Sequence, residues 1–226
     1  MRLAVLLSGG KDSIYSCWRA MQSGDVVCFV TIRSCNTDSY MFHTPNIDLT
    51  RLQAEAAGIP LIEWQTAGEE EAELDDLRAA LHEAINRYAI EGVVSGAIQS
   101  VYQASRVQRI CLELGLWSFN PLWLCEQEEY LNELIENRFE IIIAGIFSAP
   151  FNETWLGRRI DPEFVNRLLS IRSKYDISLT GEGGEYESFV CDAPFFTRRI
   201  VITRSEMTYK NHNGRFLITG AELEDK

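Results

Sequence analysis

The sequence predicts an α/β fold: a mostly parallel, doubly wound sheet followed by a smaller C-terminal α+β lobe. Short apolar, β-rich runs alternate with segments of helical periodicity through the first half of the chain. Each run is separated from the next by a helix-sized segment, which demands parallel strands with right-handed crossovers and helices on both faces. After Gly115 the alternation breaks down, and a second lobe is expected from there.

Taken in order, Leu3–Leu7 reads as a first buried strand, and 12–22 as a helix with Ile14, Cys17, Trp18 and Met21 on one face. A β-branched run at 26–32 is a second strand. The polar segment 34–45 leads into a helix carrying Ile47, Leu49, Leu52 and Ala56 that stops at Gly58. Residues 60–64 form a third strand. The acidic start at Glu69 opens a helix to Tyr88 with Leu74, Leu77, Leu81 and Ile85 aligned, and 92–98 returns to a strand of small and β-branched residues. A further helix, 101–114, ends at Gly115. Beyond it, 126–137 and 162–175 are helical and 139–147 is a strand. Residues 180–187 form a glycine-rich acidic loop, and 199–203 and 216–219 are terminal strands.

Composition narrows the function classes. With 21 basic against 33 acidic residues the net charge is −12, which repels a polyanion over most of the surface, so nucleic acid is a disfavoured partner. Arg158–Arg159 and Arg198–Arg199 are the local basic pairs. Six cysteines lie far apart with no Cys-x-x-Cys pair, the pattern of neither a zinc site nor a disulfide framework, and a reducing cytoplasm is the simplest setting. The apolar runs fall short of the roughly 18 residues of a membrane span, and the N-terminal one leads into Gly-Gly-Lys-Asp rather than a cleavage-like region.

The chemistry concentrates in Ser8-Gly-Gly-Lys-Asp-Ser13, between the first strand and the first helix. Unpaired amides and the helix dipole favour an anion there. Gly9 and Gly10 permit close approach, Ser8 and Ser13 supply hydroxyls, and Lys11 compensates charge; Asp12 serves either as a helix cap or as a ligand to Mg²⁺. The spacing is neither Walker A nor the dinucleotide fingerprint.

The hexapeptide resembles the PP-loop ATP pyrophosphatase family, with its HUP-type, adenine nucleotide alpha hydrolase-like fold. That resemblance implies ATP held by its outer phosphates and cleaved between α and β, with an adenylated substrate awaiting a nucleophile. It further implies a PP-loop ATP-binding domain at 1–120 and a substrate-binding lobe at 121–226. Three more segments resemble one branch, the diphthine ammonia ligases: Tyr40-Met-Phe-His43-Thr-Pro-Asn46, Gly96-Ala-Ile-Gln-Ser-Val-Tyr-Gln103 with Arg106, and Gly181-Glu-Gly-Gly-Glu-Tyr-Glu-Ser188 through Asp192-Ala-Pro194. This branch resemblance implies adenylation of the carboxylate of diphthine on translation elongation factor 2, then capture by ammonia to give diphthamide, AMP and pyrophosphate. No glutaminase segment precedes Met1, so ammonia is expected from solution, and a homo-oligomer is compatible with the chain.

Residue roles follow as expectations. His43 touches ATP or the substrate carboxylate, unless it is a structural or exposed histidine. Gly96 and Ala97 suit a base lying against the backbone. Gln99, Gln103 and Arg106 share a helix face with Tyr102 nearby; the Arg106 fork holds a phosphate or carboxylate, or else forms a surface ion pair. Diphthine's quaternary ammonium calls for aromatic faces and negative charge, for which Tyr102, Trp123, Trp155 and Tyr186 are candidates, with core packing as the alternative. Glu182, Glu185, Glu187 and Asp192 form an acidic run that is either a solvated turn or the ammonium site, with Glu182 or Glu185 accepting the proton. A tRNA-modifying adenylating enzyme and a non-catalytic ATP-binding regulator remain the rival readings.

Overall fold

The structure, a computed structural model, describes residues 1–36, 45–69 and 71–226. Its first sheet carries five parallel strands in the order β3-β2-β1-β4-β5: β1 Arg2–Leu6, β2 Asp25–Ser34, β3 Leu61–Thr66, β4 Gly92–Val94 and β5 Trp117–Phe119. The chain winds outward from β1 to β3, then restarts beside β1 at β4, which is doubly wound topology. That reversal opens a crevice beyond the carboxyl ends of β1 and β4.

Both faces of this sheet are covered, which is why its strands are apolar at successive positions. Ala4, Cys28 and Val30 pack against helices α3 (Ala72–Tyr88) and α4 (Val101–Glu113). Leu3, Val5 and Leu7 face α1 (Lys11–Met21) and α2 (Thr50–Ala57), in an apolar core that runs without a break into the second half of the molecule. Tyr15 and Trp18 of α1 meet Phe139 there, and Tyr15 stacks at 5.0 Å on Tyr130 of α5 (Gln127–Glu136).

The second sheet is antiparallel, in the order β7-β6-β9-β8, with β6 Glu140–Ile146, β7 Tyr186–Asp192, β8 Arg198–Lys210 and β9 Asn213–Asp225. Helix α6 (Pro162–Arg172) starts on Pro162 with Asp161 as its cap. Four elements depart from expectation: β5 carries the parallel sheet past Gly115, β7 starts inside the segment read as an acidic loop, and two more follow. The terminal strands are 13 residues each, joined through left-handed Asn211 and His212, because most of the hairpin is exposed and lacks the apolar alternation that marks a strand. The expected strand at 92–98 stops at Val94, and 95–100 instead crosses over the first helix. Among the described residues no helix is long and apolar enough to cross a membrane.

Asn46 fastens the two sheets together. Held at φ 66°, it donates from Nδ2 to Phe216 O at 3.0 Å and accepts from Ile218 N at 2.8 Å through Oδ1. Replacing it by Ala leaves two backbone groups of β9 without partners, so Asn46→Ala should lower unfolding free energy by about 2 kcal/mol. A denaturant titration with unchanged m value checks this.

Candidate functional site

The strand-to-helix turn after β1 is built around its hydroxyls. Ser13 Oγ donates to Gly10 O and accepts from Ser8 N and Ser8 Oγ, while Gly9 takes φ 84° to bring the chain round. Gly10 caps α1 without a side chain, so the helix begins with open amides, the arrangement that receives an anion. Lys11 N is the exception, donating to Ser188 Oγ at 3.1 Å.

Lys11 itself is buried. Its ammonium donates to Thr180 O and to Asp12 Oδ2, the latter at 3.0 Å, and lies 5.3 Å from the ring centroid of Tyr186. The other oxygen of Asp12 accepts from Tyr130 OH at 2.9 Å. Burial, with Asp12 adding to it, keeps the Tyr130 phenol well above its ordinary range, so it remains a donor. Gln53 braces the loop from beneath, donating to Gly9 O and Val190 O at 2.9 and 2.8 Å.

Around this turn lies a cleft of about 710 Å³ at the switch point of the parallel sheet. Ser8, Gly10, Lys11, Asp12 and Ser13 line one wall, and Ser95, Gly96, Ala97, Ser100 and Gln103 a second. Glycine at 96 is a packing requirement: a Cβ there would lie 2.8 Å from Asp12 C and from Ser13 N. Glu182, Tyr186, Glu187 and Ser188 come from the acidic segment, and Phe147 and Arg215 from the antiparallel sheet. Glu182 bridges the walls, accepting from Ile98 N and Gln99 N at 3.3 Å; burial and the nearby Asp12 charge raise its pKa.

Several expected site residues lie elsewhere. Arg106 pairs with Glu71 and stacks 3.5 Å from the Tyr102 ring centroid, and neither Arg106 nor Tyr102 lines the cleft. Gln99 is exposed and contributes only its amide. Glu185 turns inward to accept from Ser178 N at 2.7 Å. Asp192, at the far end of β7, pairs with Lys226 and caps Ala193 N. Trp155 belongs to the aromatic core with Phe151 and Phe164, a core that Tyr186 joins while also lining the cleft, and Trp123 does not line the cleft. His43 falls outside the described residues. Among the described residues no three His, Cys, Asp or Glu side chains cluster as metal ligands.

Residues 1–118 match the family described as diphthamide synthase N-terminal domain, and residues 126–223 match its C-terminal domain. The chain belongs to this family. A rat protein named diphthine–ammonia ligase is 34% identical, covering 100% of this chain and 94% of its own. The human protein of the same name is 32% identical, covering 92% and 85%. A chain from Methanocaldococcus jannaschii, titled a predicted subunit of tRNA methyltransferase, overlaps 85% of this chain and 98% of its own at 17% identity and a TM-score of 0.47, too loose a superposition to carry an argument.

Sequence reasoning missed Phe147, Gln53 and Arg215, and gave Ser188 no role beyond its place in the 181–188 segment. Their partners lie far along the chain, and no local spacing marks them. Glu187 acquires a distinct character only in the fold. Its Oε2 is sealed from solvent without a hydrogen-bond partner, and burial pushes its pKa from an ordinary 4.5 to about 7, with Lys11 and Arg215 pulling it down and Asp12 up. A carboxyl whose folded pKa exceeds its unfolded one binds its proton more tightly when folded, so stability falls as pH climbs from 4.5 to 7 and stays reduced above. Glu187→Gln should therefore raise the melting temperature at pH 8, and the gain should shrink as pH falls and vanish below 4.5. Thermal melts of both proteins across that range check it.

Proposed function

We propose that this chain is an ATP-dependent ligase that adenylates the carboxylate of diphthine on translation elongation factor 2 and amidates it with ammonia, releasing AMP and pyrophosphate. The reading is carried by one observation: the anion-receiving turn at Ser8–Ser13 and the acidic segment at 181–188 form walls of the same cleft. An activated acyl group formed at the first is thereby within reach of an amine held at the second. Family membership and the shared name of the relatives support the choice of acceptor. In this reading residues 1–120 bind ATP and 121–226 receive the protein substrate.

The open amides at the start of α1, the Ser8 and Ser13 hydroxyls and the Lys11 ammonium would take the outer phosphates, leaving the α-phosphorus toward the cleft. Asp12 would hold Mg²⁺ jointly with phosphate oxygens, since that ion needs only one or two protein carboxylates. The ion would supply neutralisation of the charge on departing pyrophosphate. Glu182, which lines the cleft and whose pKa is raised by burial and by Asp12, would hold ammonium and accept its proton. Glu185, turned inward to Ser178 N and absent from the cleft lining, would not. Ammonia then attacks the acyl carbon, and AMP leaves with the former carboxylate oxygen.

Incubation with ATP, ammonium and diphthine-bearing elongation factor 2 should yield AMP and the mass change of acid to amide on the modified histidine. Absence of both products sinks the assignment. Gly96→Ala should weaken ATP binding by at least about tenfold, equivalent to about 1.4 kcal/mol, because the added methyl displaces the start of α1. Calorimetric titration with ATP measures it.

A further inference from the structure

Across the antiparallel sheet, three residues lie in one row. Gly145 of β6 is paired with Glu187 on β7 to one side and with Arg215 on β9 to the other. Residues directly opposite in an antiparallel ladder point to the same face, and Glu187 and Arg215 both line the cleft. Between them Gly145 has no side chain, and the Phe147 ring occupies the space: a Cβ on Gly145 would lie 2.6 Å from Phe147 Cζ. A bulge at Ala144, which the ladder skips, accompanies this re-aiming of the strand.

The row is polar, enclosed and unsatisfied. Glu187 Oε2 and Arg215 Nε are both buried without hydrogen-bond partners. Among the described residues the two side chains form no ion pair with each other. Arg215 Cζ stands 5.9 Å from the Phe147 ring centroid, the outer limit of a cation–π contact. Two opposite charges held apart across an aromatic ring, each with an unused buried atom, match a ligand carrying both charges close together.

We propose that Glu187, Phe147 and Arg215 form the subsite for the zwitterionic end of the diphthine side chain, whose carboxylate and trimethylammonium sit on the same carbon. The assignment rests on the ligase reading above. Arg215 receives the carboxylate through its donors, and the Phe147 face with the Glu187 carboxylate receives the quaternary ammonium, which cannot donate a hydrogen bond. The reacting carboxylate is thereby held in the cleft that contains Lys11 and the Ser8–Ser13 turn. Because the trimethylammonium needs Glu187 ionised, and Glu187 titrates near 7 under the opposing influences of Lys11, Arg215 and Asp12, affinity for the cation should climb as pH rises through 7.

The test uses the full chain and two small probes followed by NMR titration of their methyl signals. One is the betaine 2-(trimethylammonio)butyrate; the other is its uncharged-carbon isostere 2-ethyl-3,3-dimethylbutanoate, with the same carboxylate and shape. Wild type should prefer the betaine by at least about tenfold, as expected of about 1.4 kcal/mol from one desolvated cation site. Glu187→Gln should abolish the preference and the pH dependence while leaving the isostere's affinity unchanged, and Arg215→Gln should weaken both probes. A cooperative thermal transition in each variant serves as the folding control. Equal affinity of wild type for the two probes, or a preference that survives in Glu187→Gln, overturns the subsite. If the preference behaves as expected but diphthine-bearing elongation factor 2 gives no AMP, the subsite stands as a betaine site and the ligase reading falls.

Discussion

The architecture of the site depends on burying the ammonium of Lys11. A desolvated cation is tolerated only with charge and hydrogen bonds around it, and here they come from three places: Asp12 next to it in sequence, Thr180 O from the acidic segment and the Tyr186 ring behind it. Satisfying that one charge brings the acidic segment onto the phosphate turn. The same contact sets the identity of both cleft walls, because Glu182 then reaches the amides at 98 and 99 and Glu187 turns beneath the cleft.

The carboxylates of the acidic segment, alike in sequence, are sorted by their surroundings. Glu185 gives one oxygen to a local backbone amide and does not line the cleft; Glu182 spans two walls; Glu187, one strand pair further in, lines the cleft with an unpaired oxygen. The alternation of β7 explains the sorting. Tyr186 and Ser188 meet Lys11 on one face, so Glu187 between them points to the other, and the cleft reaches both.

The parallel sheet was legible in the sequence because its strands are buried on both faces and its helices carry clean apolar stripes, as with Leu74, Leu77 and Leu81. The turn between the first strand and the first helix was legible because its glycines and hydroxyls are contiguous from Ser8 to Ser13. What could not be read depends on pairing between distant residues. Arg106 shared a face with Gln103, yet Glu71, 35 residues earlier, claims its guanidinium. Arg215 sits in a largely exposed hairpin with no periodic signal, and only its register against Gly145 brings it to the cleft. The segment from 181 read as a loop because glycines dominate its first half, and the strand beginning at Tyr186 was hidden within it.

The contacts that shape the phosphate turn span most of the chain: Lys11 to Thr180 and to Ser188, and Gln53 to Val190, are separated by 169, 177 and 137 residues. During synthesis the first five strands leave the ribosome long before these partners exist, and domains assemble as their segments emerge. A nascent or truncated chain can thus complete its parallel sheet and still lack a formed phosphate turn. The order of emergence leaves the shaping of this turn to the last third of the polypeptide.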